Sequence, residues 1–305
     1  MSIAVMPPDT SPSGCLRQPD RHGMYFRVAL RADVYFLVRT SDESTDKIDG
    51  SVIWYSWTNH EIFKILVKRV AFFFGNNLDE QQLAGMRQYQ LAKVLESIME
   101  SRFAGQGHWG NAPMYKVLLS LVRKRPRDLI KLCSEAAARS RVSNSKIIRT
   151  QDLKNVFENY SQGRLQDTFN EYKTELPAIE RLLLGMKPTT KERRTSQTYK
   201  YTTDALISRL KNIEQSGRFT FANGKNASAK DLAAFMYKIN FITARKELDN
   251  GSIDRKYFEE NRYLLNDFIE FGYEWEIHPA YRWALQPDNL DDIFKKIALS
   301  HMDFE

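Results

Sequence analysis

Cysteine is nearly absent from this sequence: Cys15 and Cys133 are the only two among 305 residues. So sparse a set builds no disulfide framework and fits a reducing compartment. Long hydrophobic runs are missing too. The longest, Val70-Ala71-Phe72-Phe73-Phe74, follows Lys68-Arg69 and falls far short of the roughly 20 apolar residues that cross a bilayer as a helix. The first 22 residues carry Pro7, Pro8, Pro12 and Pro19 and lack the apolar middle of a secretory signal. Residues 1–23 therefore read as a disordered leader, and the expected location is cytoplasmic, with no membrane partner. Metal chemistry has no pattern to rest on, because two distant cysteines and five scattered histidines give no ligand spacing. A phosphate-cradling loop, G-x-x-x-x-G-K-[ST], is also missing. The nearest stretch, Gly217 to Gly224-Lys225-Asn226, has the wrong spacing and no hydroxyl after its lysine. Gly105-Gln106-Gly107-His108-Trp109-Gly110 spells G-x-G-x-x-G, but a helical pattern precedes it where a dinucleotide site needs a strand, so it reads as a loop between helices. No catalytic residues are assigned, because no hydrolytic motif is present.

What the sequence does contain is ordinary globular material with an uneven charge. Apolar residues make up 42% and charged residues 27%, which argues against wholesale disorder; the length suits two or three domains. The formal charge is +7, and it is concentrated. Residues 123–149 hold nine basic groups (Arg123, Lys124, Arg125, Arg127, Lys131, Arg139, Arg141, Lys146, Arg149) against Asp128 and Glu135. Residues 187–200 hold Lys187, Lys191, Arg193, Arg194 and Lys200 against Glu192. Such clusters attract polyanions, either nucleic acid or the phosphate tail of a nucleotide, or else form a solvated face.

Periodicity places the elements. Met24 to Arg31 and Val52 to Trp57 suit strands, and Thr58 with Glu61 forms a capping box ahead of Phe63, Leu66, Val67 and Val70 at helical spacing. Helices are predicted at about 79–101, 113–123, 127–141, 151–174 and 203–214, with Thr150 as an N-cap. Pro188 and the basic, threonine-rich stretch that follows read as an exposed linker. Beyond it, Ser228 caps a helix, a strand spans Phe241 to Arg245, and Tyr273, Trp275 and Ile277 alternate with Glu274 and Glu276 as an edge-exposed strand would. His278, beside Pro279, reads as a strand-end packing or capping residue. Helices followed by a small β-wing predict a winged helix.

Arg123-Lys124-Arg125-Pro126-Arg127-Asp128-Leu129 puts arginines around a proline at a helix start, where free N–H groups already favour anions. This segment resembles the Arg-Pro-Arg-Asp-Leu lid signature of bacterial STAND/AAA+-like P-loop ATPases. Val28-Ala29-Leu30-Arg31-Ala32-Asp33-Val34 is similar to that family's late core strand, Asp46-Lys47-Ile48 and Trp57 through Glu61 to Lys68-Arg69 look like its next blocks, and Trp275-Glu276-Ile277-His278-Pro279-Ala280-Tyr281-Arg282 resembles the end of its winged-helix module. The resemblance runs over roughly 24–286 in the family's order, without the Walker A and Walker B segments. It implies a mostly α fold with a small α/β remnant: leader 1–23, α/β core remnant 24–75, helical lid 76–186, basic linker 187–202 and winged-helix-like domain 203–305. It implies Arg31, Arg125 and Arg127 as nucleotide-sensing residues, with Lys187, Lys191, Arg193, Arg194 and Lys200 left for nucleic acid. The function so implied is the sensor, lid and winged-helix portion of a P-loop ATPase, as a truncated or split ATPase or a regulatory subunit that does not hydrolyse ATP alone. ATP and magnesium would come with a separate ATPase chain or missing region, and a second copy or DNA are the other partners. The alternatives are a stand-alone winged-helix nucleic-acid-binding protein and a protein-interaction module.

Overall fold

The structure is a computed structural model that describes residues 3–5, 28–30, 52–105, 107–195, 198–249, 252–261, 272–286, 293 and 299. It separates into two compact units, residues 1–57 and 58–305. The first holds strands β1 (Ile3–Val5), β2 (Ala29–Leu30) and β3 (Val52–Trp54), in the order β2-β1-β3 and antiparallel throughout. Ile3 faces both Leu30 and Trp54. The central strand thus comes from the stretch expected to be a disordered leader. β3 stops at Trp54 rather than Trp57, since its partner β1 offers only three residues to pair with. Arg31, Asp33, Asp46, Lys47 and Ile48 lie outside the described residues.

Helix dominates the second unit, so the described fold is mostly α with a small α/β portion, as its sequence predicts. Helix α1 (Asn59–Phe73) begins at the predicted capping box: Glu61 N–H donates to Thr58 Oγ1 at 3.1 Å, and Thr58 N–H donates to Glu61 Oε2 at 2.8 Å. It buries Ile62, Phe63, Leu66, Val67 and Val70, the i, i+3, i+4 face. The helix predicted over 79–101 is instead two, α2 (Glu80–Gly85) and α3 (Gln88–Leu95), because Met86 and Arg87 take extended backbone angles and Asp79 and Arg87 each start a new helix. Helices α4 (Met114–Ser120), α5 (Pro126–Val142) and α6 (Thr150–Tyr172) match the predicted spans to within a few residues. Thr150 is the first helical residue rather than the cap; its hydroxyl donates to Glu100 Oε2 at 2.8 Å and accepts from Ala104 N–H at 2.9 Å. Helix α5 packs along α6.

The G-x-G-x-x-G stretch lies between two short paired strands, β4 (Arg102–Phe103) and β5 (Ala112–Pro113). A Cβ on Gly105 would collide with the Phe103 ring, so that glycine answers a packing need. Trp109, fully buried in a 3-10 turn (Gly107–Trp109), joins Phe103, Phe157 and Trp283 with ring centroids 4.9–6.4 Å apart. This aromatic cluster links α6 to the C-terminal segment.

After α7 (Ile179–Gly185) come β6 (Lys200–Tyr201), α8 (Thr203–Glu214), α9 (Ala229–Lys238), β7 (Ile242–Glu247), β8 (Ile253–Lys256), β9 (Glu274–Ile277) and α10 (Arg282–Leu285). The four strands form an antiparallel sheet in the order β6-β9-β7-β8. Two differences from the sequence reading follow. The expected wing is a four-stranded sheet, and its strand β6 comes from the expected exposed linker. The Arg209 guanidinium donates to the Gly185 and Lys187 carbonyls at 3.0 and 2.6 Å, while Pro188, Thr198 and Tyr199 are buried, so part of that stretch is laid onto the domain. Nor is β9 an edge strand: it pairs on both sides, and Glu276 is buried. Among the described residues no helix is long and apolar enough to cross a membrane.

Phe157, with no exposed surface, sits among the other three rings of the cluster. Phe157→Ala is expected to destabilise the protein by about 3–5 kcal/mol, read from the midpoint of urea unfolding; a loss under 1 kcal/mol would show that the cluster does not hold the unit together.

Candidate functional site

The chain leaves α4 at Ser120 and turns through Lys124, whose φ of 54° is left-handed. A side chain there is strained. Its ammonium is held 3.3 Å from a Glu260 oxygen and 5.4 Å from the Tyr257 ring centroid. Arg125 is then extended, as a residue before proline prefers, and Pro126 opens α5 where a missing N–H costs nothing. This backbone sends the three arginines different ways.

Arg123 turns inward. Asp128, only 1% exposed, accepts from Arg123 Nε at 2.8 Å and Nη2 at 3.3 Å, and from Arg164 Nη1 at 2.6 Å. Arg123 Nη1 also donates to Thr168 Oγ1 at 3.1 Å and Tyr281 Oη at 2.6 Å. Burial alone would raise the Asp128 pKa, but the two guanidinium groups overcome it and hold the carboxyl well below the usual range. Arg125 makes a two-pronged pair with Glu171 of α6, at 2.9 and 3.3 Å. Arg127 is exposed on the first turn of α5 and has no ion pair among the described residues. The two arginines assigned to sensing therefore differ in kind: Arg125 is engaged and Arg127 projects to solvent.

A second buried network lies beside the first. Glu276 of β9 meets Arg255 of β8, Arg282 of α10 at 2.7 Å and Arg245 of β7 at 3.6 Å. Burial pushes its pKa up, yet the three cations bring it down to about 2. His278 connects the networks. Its Nδ1 accepts from Ala280 N–H at 3.1 Å, capping the 3-10 turn Pro279–Tyr281, and its Nε2 lies 3.1 Å from Tyr257 Oη. An accepting Nδ1 assigns the proton to Nε2. Burial, then Arg255 and Arg123, hold the His278 pKa well below its ordinary value.

The remaining predicted residues are scattered. Lys187 and Lys191 are exposed, whereas Arg193 is half-buried and its Nε donates to the Pro188 carbonyl at 3.3 Å. Arg194 ends a 3-10 turn (Glu192–Arg194), with its side chain outside the described residues. Lys200 is half-buried on β6, and burial followed by Arg245 lowers its pKa. Arg164, Glu171, Arg245 and Arg255 carry no site role in the sequence; nothing in their spacing announces partners, and only the fold brings them to Asp128, Arg125 and Glu276. Among the described residues no grouping of three or more His, Cys, Asp and Glu could hold a metal ion.

Residues 76–168, which span α2 to most of α6, match the FunZ-associated C-terminal helical domain. Over 289 residues the chain is 23% identical to a putative transposon gamma-delta 80.3 kDa protein of Escherichia coli (strain K12), covering 87% of this chain and 36% of that protein. Over 144 residues it is 24% identical to the allergen Alt a 2 of Alternaria alternata, covering 47% of this chain and 67% of that protein. The chain thus spans about a third of the length of the transposon relative. No solved structure matches.

The buried titrating groups set a pH dependence. His278 has a folded pKa below its ordinary 6.5, so the unfolded chain binds more protons below that pH and stability falls as the pH drops through 6.5. Glu276, lowered from 4.5 to about 2, adds stability above 4.5 that is lost as the pH falls toward 2. The thermal midpoint is expected to decline from about pH 6.5 downward, and His278→Asn, which keeps a capping acceptor, to flatten the decline between about pH 6.5 and 5. An unchanged slope in that variant would remove His278 as the responsible group.

Proposed function

We propose that this chain is the sensor and partner-binding portion of a P-loop ATPase-like protein of a mobile element, and that Arg127 meets the phosphates of a nucleotide held by another chain or region. The observation that carries this reading is the division of labour at the start of α5. Arg123 and Arg164 are committed to Asp128, and Arg125 to Glu171, which fixes the helix start and leaves Arg127 projecting from it. Arg125 is a positioning residue here. The partial positive charge of the helix N-terminus adds to the guanidinium where a phosphate would approach. The mobile-element setting rests on the transposon relative alone. In this reading magnesium comes with the nucleotide, in the chain or region that holds it. The helix-and-sheet region from β6 onward, proposed as winged-helix-like, is the partner-binding part. A second reading, nucleic-acid binding by the linker cluster, is favoured only by the exposure of Lys187 and Lys191.

The test is binding of a fluorescent ATP analogue to the purified chain, which reads the phosphate contact of Arg127 and the α5 N-terminus by itself, without the rest of the nucleotide site. No steady ATP turnover is expected. Arg127→Ala should weaken analogue binding about tenfold or more, the worth of a charge-assisted hydrogen bond, while Lys187→Ala leaves it unchanged. Arg127→Ala should also stay within about 0.5 kcal/mol of the parent in stability, as an exposed side chain does. Turnover that Arg127→Ala abolishes would make the chain an enzyme in its own right, and an unchanged analogue affinity would remove Arg127 from the nucleotide.

A further inference from the structure

Along α5, from Ile130 to Arg141, lies a cavity of about 500 Å³, walled also by the C-terminal half of α1, the residues after α3 and the residues after α5. Its rim is aromatic. Phe73 and Phe74 are 82% and 50% exposed, with their rings at right angles and their centroids 5.3 Å apart. Its floor includes Ile98, Ile130 and Cys133. Burial pushes the Cys133 thiol up to about 12, which makes it inert wall. Arg69, Arg141 and Lys146 line the same cavity with hydroxyls from Ser97 and Ser134, and no carboxylate is among the lining residues. All three cations are exposed. Arg141 lies in the last turn of α5, where its charge offsets the helix's own partial negative end; Arg69 and Lys146 come from outside that helix. The basic run over 123–149 is thus divided by the fold: Arg123 is buried, whereas Arg127, Arg141 and Lys146 are exposed.

We propose that this cavity is a binding site for single-stranded nucleic acid. Two exposed phenylalanines, Phe73 and Phe74, border the cavity and leave apolar ring surface open to solvent. Bases stack on such faces whatever their sequence, while the backbone phosphates lie along a cationic groove. The charge matches in sign, since three cations without a lining carboxylate fit a polyanion. A duplex keeps its base faces inside its own stack, so the aromatic rim selects the single strand. Arg127 is not among the residues that line this site.

The experiment measures anisotropy of a fluorescein-labelled oligothymidylate of about 16 nucleotides, long enough for one site, and of a duplex of equal length, across a salt series. The single strand is expected to bind more tightly than the duplex. Phe73→Ala and Phe74→Ala should each weaken it about tenfold, the worth of one stacked base. Replacing Arg69, Arg141 and Lys146 by glutamine together should reduce the log–log salt slope by about two, at roughly 0.7 per phosphate contact. Lys187→Gln with Lys191→Gln should leave both quantities unchanged. Circular dichroism confirms that each variant is folded, as exposed positions allow. The proposal is overturned if the oligonucleotide does not bind, if it binds with the phenylalanine variants indistinguishable from the parent, or if the Lys187 and Lys191 variant alone abolishes binding. A labelled amphipathic helix of leucine and glutamate that binds in a Phe73-dependent way, without competition from the oligonucleotide, would overturn it in favour of an acidic protein partner.

Discussion

Asp128 is a carboxylate with almost no access to water, clamped between Arg123 and Arg164. A charge in such a place is tolerable only when paired and fully hydrogen-bonded; removing one partner strands the others at a cost of about 3–5 kcal/mol. The pairing therefore fixes geometry at once in three places: the turn between α4 and α5, the middle of α6, and, through Arg123 and Tyr281, the turn after β9. The direction of Arg127 depends on that clamp, although Arg127 takes no part in it.

Glu276 repeats the arrangement in the sheet, one carboxylate among three arginines. Further carboxylates nearer the surface share the cations, Asp167 with Arg164 at 2.7 Å and Glu274 with Arg245 at 3.0 Å, and other donors go to Thr168, Tyr281 and the Ile277 carbonyl. His278 stands between them and stays neutral, because protonating Nδ1 would break its cap on Ala280 and add another cation. Helix α5 thus has an anchored start from which Arg127 projects and a last turn with exposed Arg141. Of the two proposed anion sites only the one at Arg127 is built on the clamp.

Much of the local structure was legible in the sequence. The Thr58–Glu61 and Ser228 caps and the spans of α5, α6 and α8 follow from side chains acting within three or four residues of themselves; the loop expected between helices at Gly105 to Gly110 is flanked directly by the paired strands β4 and β5. The long helix over 79–101 was misjudged, since apolar spacing continues through Met86 while the backbone does not. A strand was missed near the N-terminus, whereas β7 and β9 lie within two residues of their expected spans and differ from expectation in what surrounds β9. Ile3–Val5 sits in proline-rich surroundings yet pairs with residues far along the sequence. The alternation around Glu276 suggested water on one face, where the sheet supplies arginines.

The sequence by itself determined the helices, their caps, and the concentration of positive charge around Pro126, because these depend on neighbours close in the chain. It also determined that Arg125 and Arg127 would sit beside one another at a helix start. Tertiary structure decided which of them is spoken for. Glu171 lies 46 residues from Arg125, and Tyr281 lies 158 from Arg123. A charge looks the same in sequence whether it faces solvent or a buried carboxylate, and only the packing of α5 on α6 and of β9 between its neighbours distinguishes the two.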